Sequence, residues 1–457
     1  MASVRTLRDA FDEWFDRVAL ESPARLTLAA FAVTILVFTG LLSLPVATSS
    51  GVRVPFVDAL FTATSAVCVT GLATVDTGTY WSPWGLTIIG VAIKVGGLGI
   101  MTLASLAGLA VSRRLGLTTR ILAAGESRAS GLGDLRSLLT TVVIVSTTVE
   151  LTIAAILVPR FLTLDYGWPK SLGYSLFYGV SSFNNAGFSP DPLGLYPYAG
   201  DLWMLVPIGL GVFIGALGYP VYLNLIKRWR HPSKWTLHTK LTLATLVVLQ
   251  VISVTFLMAF EWTNPNTLGH HSAASTIGNI FFQSINQRSG GFSSFDIGAA
   301  REQTWLLEDV LMFIGGGSGG TAGGIRVTTI AVLVLAAWAE ARGRRDMEAF
   351  GKRIGTEVLR VAVSITLLGL LVVLVGTGVF MAQTNIPLDR SLYEVVSAYA
   401  TCGLSTGITG DLPSDAKMTL IITMYLGRVG SLTLASALML NRQRRVIRYP
   451  SERPLIG

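Results

Sequence analysis

Apolar residues along this chain fall into long, nearly uncharged runs separated by polar connections. Eight runs, at residues 25–46, 83–111, 137–159, 202–226, 239–260, 305–340, 356–382 and 417–440, predict helices that cross a hydrocarbon core ~30 Å thick. Between the two runs of each successive pair lies a shorter segment that ends in glycine. The four copies are Phe61-Thr-Ala-Thr-Ser-Ala-Val-Cys-Val-Thr-Gly71, Phe177-Tyr-Gly-Val-Ser-Ser-Phe-Asn-Asn-Ala-Gly187, Phe281-Phe-Gln-Ser-Ile-Asn-Gln-Arg-Ser-Gly-Gly291 and Tyr393-Glu-Val-Val-Ser-Ala-Tyr-Ala-Thr-Cys-Gly403. Each glycine is followed by Leu or Phe: Leu72, Phe188, Phe292 and Leu404. Consecutive glycines lie 116, 104 and 112 residues apart, a period long enough to be an architecture.

About ten residues of helix cover only ~15 Å, half of the hydrocarbon core. Such a segment must enter the membrane and return. The irregular backbone after it is tolerated where protein buries it or where it lines a watery cavity. Two crossings per unit give all four units the same orientation, as parallel repeats about an axis along the membrane normal. The predicted fold is an all-α integral membrane protein. It has four pseudo-symmetric repeats of span, pore half-helix and span, eight transmembrane helices in all, around a central ion pore. The expected boundaries are an N-terminal cytoplasmic or interfacial segment (1–22), repeats at 23–112, 113–230, 231–342 and 343–441, and a cytoplasmic C-terminal tail (442–457).

Composition agrees. Of 457 residues, 51% are hydrophobic and only 14% charged, against about a quarter charged in soluble chains. The net charge of +8 does not point to nucleic acid, because the basic residues sit in alternate connections at 113–136, 227–240, 342–360 and 442–453. The other connections carry acids such as Asp165, Asp191, Glu261, Asp296 and Asp411. This positive-inside pattern places both termini in the cytoplasm of a multi-pass protein. Residues 1–22 lack the features of a signal peptide, and Leu7, Phe11, Trp14, Phe15 and Val18 share one helical face. An interfacial helix in contact with membrane lipid and a plain solvated helix both fit it. Two cysteines, Cys68 and Cys402, lie inside repeats and suggest no disulfide framework.

The half-helices run inward, so the partial negative charge of their aligned peptide dipoles points at the membrane centre and favours a cation. The loops that follow can turn backbone carbonyls to the axis and replace an ion's hydration shell. The candidate carbonyls belong to Val69, Thr70 and Gly71; Asn185, Ala186 and Gly187; Ser289, Gly290 and Gly291; and Thr401, Cys402 and Gly403. No ring of carboxylates accompanies them, which disfavours a divalent site. Asp76, Asp191 and Asp296 lie just beyond, either gathering cations at the mouth or serving as ordinary loop residues.

The run Gly315, Gly316, Gly317, Ser318, Gly319, Gly320, Thr321, Ala322, Gly323 and Gly324 has no lysine where a phosphate-binding loop needs one. It also sits inside a predicted span, so a kinase or ATPase reading fails. A flexible gate and close helix packing both remain open for it. Arg428 and Lys94 lie deep in spans, where a charge is costly and faces a cavity or a partner. Glu150 in the next span is a candidate partner for Lys94. The four histidines form no metal-ligand pattern. A membrane enzyme acting on lipid would need paired acids, a histidine cluster or a nucleophile arrangement, and none is present.

These four segments resemble the Trk/Ktr/HKT superfamily of potassium transporters over nearly the whole chain. Lys94-Val-Gly-Gly-Leu-Gly-Ile-Met-Thr102, Phe183-Asn-Asn-Ala-Gly-Phe-Ser189, Gly315-Gly-Gly-Ser-Gly-Gly-Thr-Ala-Gly-Gly-Ile-Arg-Val-Thr-Thr329 and Gly427-Arg-Val-Gly-Ser-Leu-Thr433 carry the resemblance. The eight-span count is most like the KtrB membrane subunits. The resemblance implies the potassium-translocating pore subunit of an uptake system, not an enzyme. Potassium would bind at the filter carbonyls, with sodium as an optional activator. It implies a homodimer in the cytoplasmic membrane with a cytosolic nucleotide-binding ring of KtrA type. It assigns residues 315–324 to a gate and Arg428 to an electrostatic barrier that contacts it, against the alternative of a buried structural ion pair. Glycine at all four filter positions implies potassium selectivity, with a sodium-selective or poorly selective monovalent cation transporter of the same fold as the alternative. Lys94 stands where the family leads one to expect a neutral glutamine, and Arg326 where lysine is common. Arg288, in register with Cys68, Asn184 and Ala400, is expected to turn away from the axis and brace the filter.

Overall fold

The computed structural model describes residues 23–114 and 132–440. The expected N-terminal helix within 1–22, most of the basic connection at 113–136 and the tail at 442–457 lie outside them. The described residues form fifteen helices and one two-stranded hairpin. Helix α1 (Pro23–Leu42) leads to the short α2 (Phe56–Val67), the one-turn α3 (Thr77–Tyr80) and the long α4 (Pro83–Arg114). Next come α5 (Leu132–Thr163), α6 (Trp168–Phe183), α7 (Leu202–Leu217) and α8 (Tyr219–Arg228). Then follow α9 (Leu237–Glu261), α10 (Ala273–Asn286), α11 (Glu302–Ile314) and α12 (Val327–Ala341). The hairpin of β1 (Met347–Ala349) and β2 (Lys352–Ile354) precedes α13 (Thr356–Thr384), α14 (Leu388–Tyr399) and α15 (Ser414–Leu440).

Local chemistry sets the starts of the short helices. Pro55 and Pro387 precede α2 and α14, whose first turns hold Asp58 and Asp389, where an acid suits the positive end of the helix. Pro169 stands in the first turn of α6, and the Ser272 hydroxyl caps α10 by accepting from the Ser275 amide. With 12, 16, 14 and 12 residues, α2, α6, α10 and α14 rise only about 18–24 Å, short of the hydrocarbon core.

Packing follows a cyclic rule. Helix α4 packs against its own short helix α2 and against the next one, α6. In the same way α7 touches α6 and α10, and α15 touches α14 and closes the circuit on α2, while α11 packs on the next short helix, α14. Aromatic side chains fill the seams between short and long helices, with Phe61, Tyr178, Phe183 and Tyr393 fully buried.

The outward faces are the reverse of a soluble surface. Only 22% of the most apolar window of α9, and likewise of α13, is buried inside the protein. Val247, Val251, Leu367 and Leu374 are each at least 60% exposed, a continuous apolar exposure that water does not tolerate. Among the described residues, three helical segments are long and apolar enough to cross a membrane unaided: Thr140–Thr163, Leu237–Glu261 and Thr356–Thr384. The expected span at 202–226 is broken at Gly218, where α7 and α8 meet at 98°. Gly218 has φ 88°, and Pro220 in the first turn of α8 prevents a continuous hydrogen-bond ladder. The expected span at 305–340 is likewise two helices, α11 and α12, separated by the glycine-rich run.

Candidate functional site

The four glycine-terminated segments come together at the C-terminal ends of α2, α6, α10 and α14. Three of them end alike. The amides of Val69 and Thr70 donate to the carbonyls of Ala66 and Ser65; Asn185 and Ala186 donate to Ser182 and Ser181; Thr401 and Cys402 donate to Ala398 and Ser397. This left-handed helix cap normally takes glycine at the residue with positive φ. Here Val69, Asn185 and Thr401 hold φ of 56°, 57° and 46°. For the β-branched Val69 and Thr401 that conformation costs on the order of 1–3 kcal/mol, sustained by the bonds around it. Ser65 Oγ then accepts from the Gly71 amide at 3.0 Å, and Ser397 Oγ from the Gly403 amide at 3.1 Å.

The third loop departs from this pattern. Its residue in register with Ser65, Ser181 and Ser397 is Ile285, which has no hydroxyl. The amides of Ser289 and Gly290 both turn back to the Asn286 carbonyl, and Ser289 avoids positive φ. Its hydroxyl accepts from the Gly323 amide at 2.9 Å. The four loops are therefore not copies of one turn.

The four glycines close a ring. Their φ values are 100° for Gly71, 68° for Gly187, 72° for Gly291 and 96° for Gly403. A Cβ added to Gly71 would lie 3.2 Å from the Gly187 Cα; one on Gly187, 2.7 Å from the Gly291 Cα; one on Gly403, 3.0 Å from the Gly71 Cα. One on Gly291 would collide with the Cys402 carbonyl oxygen. Each loop thus packs backbone to backbone against the next. All four glycines open onto one cavity of about 510 Å³, lined further by Leu72, Phe188, Phe292 and Leu404.

On the other side of the ring the run from Gly315 to Gly324 is folded against the half-helix ends. The Gly317 and Thr321 amides donate to the Ala216 and Gly215 carbonyls, and Tyr219 donates to the Gly319 carbonyl. Thr321 Oγ1 donates to the Phe183 carbonyl at 3.0 Å. Ser318 bonds Thr328, while Ala322 packs fully buried. Gly315 and Gly316 fold close to Gly323 and Ala322, Gly324 to Gly315 and the Phe313 carbonyl, and Gly320 to the Gly215 carbonyl. Arg326 Nη1 donates to the Gly317 and Ala322 carbonyls. Arg428, 1% exposed, donates from Nη1 to the Thr321 carbonyl at 2.6 Å, and its Nε and Nη2 have no protein partner. The expected alternative of an ion pair for Arg428 has no acid to support it among the described residues.

Lys94 does meet Glu150, with Nζ 2.7 Å from each carboxylate oxygen. Arg288 turns back to α9, donating to the Leu246 carbonyl at 3.2 Å and to Gln250 Oε1 at 2.6 Å. Asp76 and Asp191 line the 510 Å³ cavity, and each is also committed locally. Asp76 accepts from the Gly78 and Thr79 amides, and Asp296 from the Gly298 amide. Asp191 accepts from the Tyr166 and Tyr198 phenols at 3.0 and 2.8 Å. Burial raises the pKa of both phenols, so they remain protonated donors at neutral pH.

Sequence reasoning passed over Glu394. It lies fully buried in α14 and accepts from Ser405 Oγ, the Thr406 amide and Thr409 Oγ1, which ties the helix to the limb beyond Gly403. It also passed over Asn184, whose amide reaches Glu150. The glutamate in the fourth copy, absent from the other three, was the available signal for the first.

Residues 17–446 match the family TrkH, described as "Cation transport protein". The chain is 35% identical over 436 residues to Ktr system potassium uptake protein B of Bacillus subtilis, covering 95% of this chain and 97% of that one. It is 33% identical over 448 residues to potassium/sodium uptake protein NtpJ of Enterococcus hirae, with the same two coverages. Its fold is similar to the crystal structure of the potassium transporter TrkH from Vibrio parahaemolyticus, with a TM-score of 0.67 at 17% identity over 91% of this chain and 85% of that one.

Proposed function

The chain belongs to the TrkH family of cation transport proteins, and on that premise we propose that it is the potassium-translocating membrane subunit of a Ktr/Trk-type uptake system. The observation that carries the reading is the ring of Gly71, Gly187, Gly291 and Gly403 around one cavity, with a buried arginine on its far side. Left-handed residues such as Val69 and Gly71 let the loop backbone turn its carbonyls toward the axis. Stacked carbonyls from four loops replace a monovalent cation's hydration shell, and four half-helix C-termini add negative potential. The ion enters from the 510 Å³ vestibule, where Asp76 and Asp191 raise the local cation concentration.

The glycine-rich run is the gate. It closes the path below the ring, and Arg428 holds it and repels cations. The cyclic packing supports four span–half-helix–span units with eight crossings, bounded as the sequence reading divides them. The charge pattern supports a cytoplasmic-membrane protein with both termini inside. Two copies assemble side by side, each with its own path, on a cytosolic nucleotide-binding ring of KtrA type. The membrane potential drives entry, worth about 2.3 kcal/mol per charge per 100 mV.

A second reading, a sodium-selective or poorly selective transporter, takes support from the relative whose name joins potassium and sodium. One experiment separates the two. The chain is expressed with and without a KtrA-type partner in a bacterium deficient in potassium uptake, as wild type and as Gly291→Ser. Rescue on low potassium that weakens in the variant supports potassium and the carbonyl ring. Sodium uptake without rescue supports the second reading, and inserted protein that moves neither ion refutes both.

A further inference from the structure

Lys94 does not stop at Glu150. Its ammonium also lies 2.9 Å from Ser146 Oγ and 3.4 Å from Thr147 Oγ1, so its donors are taken up by α5 and none is free toward the ring. The Glu150 side chain is 7% exposed, and the carboxylate oxygen Oε1 accepts a second bond, from Asn184 Nδ2 at 2.9 Å. Asn184 is the C-terminal cap of α6, fully buried, and its Oδ1 has no protein partner. Its amide is therefore oriented by Nδ2 alone, through Glu150 and the Val180 carbonyl. Gly97, one turn beyond Lys94 on α4, closes the other side: a Cβ there would lie 2.8 Å from Asn184 Cγ. The next residue, Asn185, is the left-handed one, and the Ala186 carbonyl after it packs on Gly71.

We propose that the Lys94–Glu150 ion pair is a positioning clamp for the second pore loop, acting through Asn184, and that it sets the preference between potassium and sodium. The proposal rests on the transport reading above. A carboxylate this deeply buried is costly unless it is paired. Lys94 supplies that pairing through short contacts to both carboxylate oxygens, and the ionised form is the one that holds a neutral amide most firmly. Without Lys94 the carboxyl loses its counter-charge, its hold on the Asn184 amide weakens, and the loop carrying the Ala186 carbonyl loosens. The other loops are held differently. Arg288, at the same register in the third loop, uses neutral acceptors on α9, and Cys68 and Ala400 offer no comparable donor. Only the second loop is tethered through an ion pair among the described residues. A small ion such as sodium gains most when carbonyls relax inward, so a looser second loop erodes discrimination before it erodes flux.

The test measures potassium and sodium uptake rates, and their ratio, for the full chain reconstituted together with a KtrA-type partner into vesicles of phosphatidylethanolamine and phosphatidylglycerol, per mole of monodisperse protein. Lys94→Met and Asn184→Ala each lower the potassium-to-sodium ratio about tenfold, within the coupling expected of contacting groups in one network. Lys94→Arg keeps the ratio within about twofold of wild type, since it keeps the charge. Lys94→Met combined with Glu150→Gln buries no unpaired charge, folds when Lys94→Met alone does not, and gives an intermediate ratio. A wild-type ratio in Asn184→Ala or in the double variant overturns the clamp while leaving the transport reading intact. A wild type that prefers sodium overturns the potassium reading, and the clamp is still judged by whether the ratio moves. A wild type that carries neither ion overturns both.

Discussion

Arg428 reaches across from α15 to donate to the Thr321 carbonyl at 2.6 Å, joining the last long helix to the glycine-rich run at the inner ends of the half-helices. Its remaining donors, Nε and Nη2, have no protein partner although they are buried. On the proposed ion path, a buried guanidinium with spare donors sets a positive field where a cation would leave the ring. Arg428→Ala is expected to raise potassium uptake several-fold at a fixed membrane potential, with Arg428→Lys smaller in effect. Tracer rubidium uptake at a clamped diffusion potential measures it. Uptake equal to wild type in both variants would remove the barrier role.

Gly71→Ala is expected to abolish most uptake. The added methyl collides with the Ala186 carbonyl and stands 3.2 Å from the Gly187 Cα, at a φ of 100° that alanine resists. Gly378, in the C-terminal part of α13, has nothing within 4 Å of an added Cβ. Gly378→Ala keeps full uptake and adds roughly 0.5–1 kcal/mol of helix stability. The two variants, compared for uptake per inserted protein, separate ring geometry from a general intolerance of alanine.

Ser397→Ala leaves the Gly403 amide without the hydroxyl 3.1 Å away that accepts from it. An orphaned buried amide costs about 1–3 kcal/mol. Because the strain falls on the ring, the expected signature is a reduced potassium-to-sodium ratio and not a lower yield of folded protein. Ser65→Ala, which orphans the Gly71 amide, should match it. Equal ratios in wild type and both variants would show that these bonds do not shape the ring.

Glu261, fully buried at the end of α9, is a staple for the connections on that side. It accepts from Asn264 at 2.8 Å, Thr267 at 2.6 Å, the Arg301 amide at 3.0 Å and Thr304 at 2.5 Å. Glu261→Ala strands four donors and should destabilise by about 3 kcal/mol or more. Asp346→Asn removes the exposed pair with Arg353 and should cost no more than ~1 kcal/mol. Thermal unfolding in detergent reads both; similar midpoints for the two variants would contradict the staple.

The parts of this molecule that the sequence made legible are those written as repeated local patterns. An aromatic ten residues before a glycine, in four copies, marked Gly71, Gly187, Gly291 and Gly403, and the structure brings those four into mutual contact. The Lys94–Glu150 pairing was legible as a possibility, because two opposite charges buried in neighbouring spans seek each other. Its continuation to Asn184 was not, since it depends on how α4, α5 and α6 meet in space. The left-handed Val69 and Thr401 run against their own preferences and are imposed by the surrounding bonds. The bend at Gly218 did have a local signal, Gly218-Tyr-Pro220, which hydropathy averaged over a window conceals. Ile285, standing in the serine column of the repeat, likewise announced the different third turn.

Because one polypeptide supplies all four walls of the ring, a single codon change alters one quarter of it. In a pore built from four identical subunits the same change would strike every wall together. Here a substitution meets three unaltered neighbours, and the four walls already differ, since the loop that carries Ile285 closes by another turn. If the ring is the proposed filter, its ion preference can change one quarter at a time.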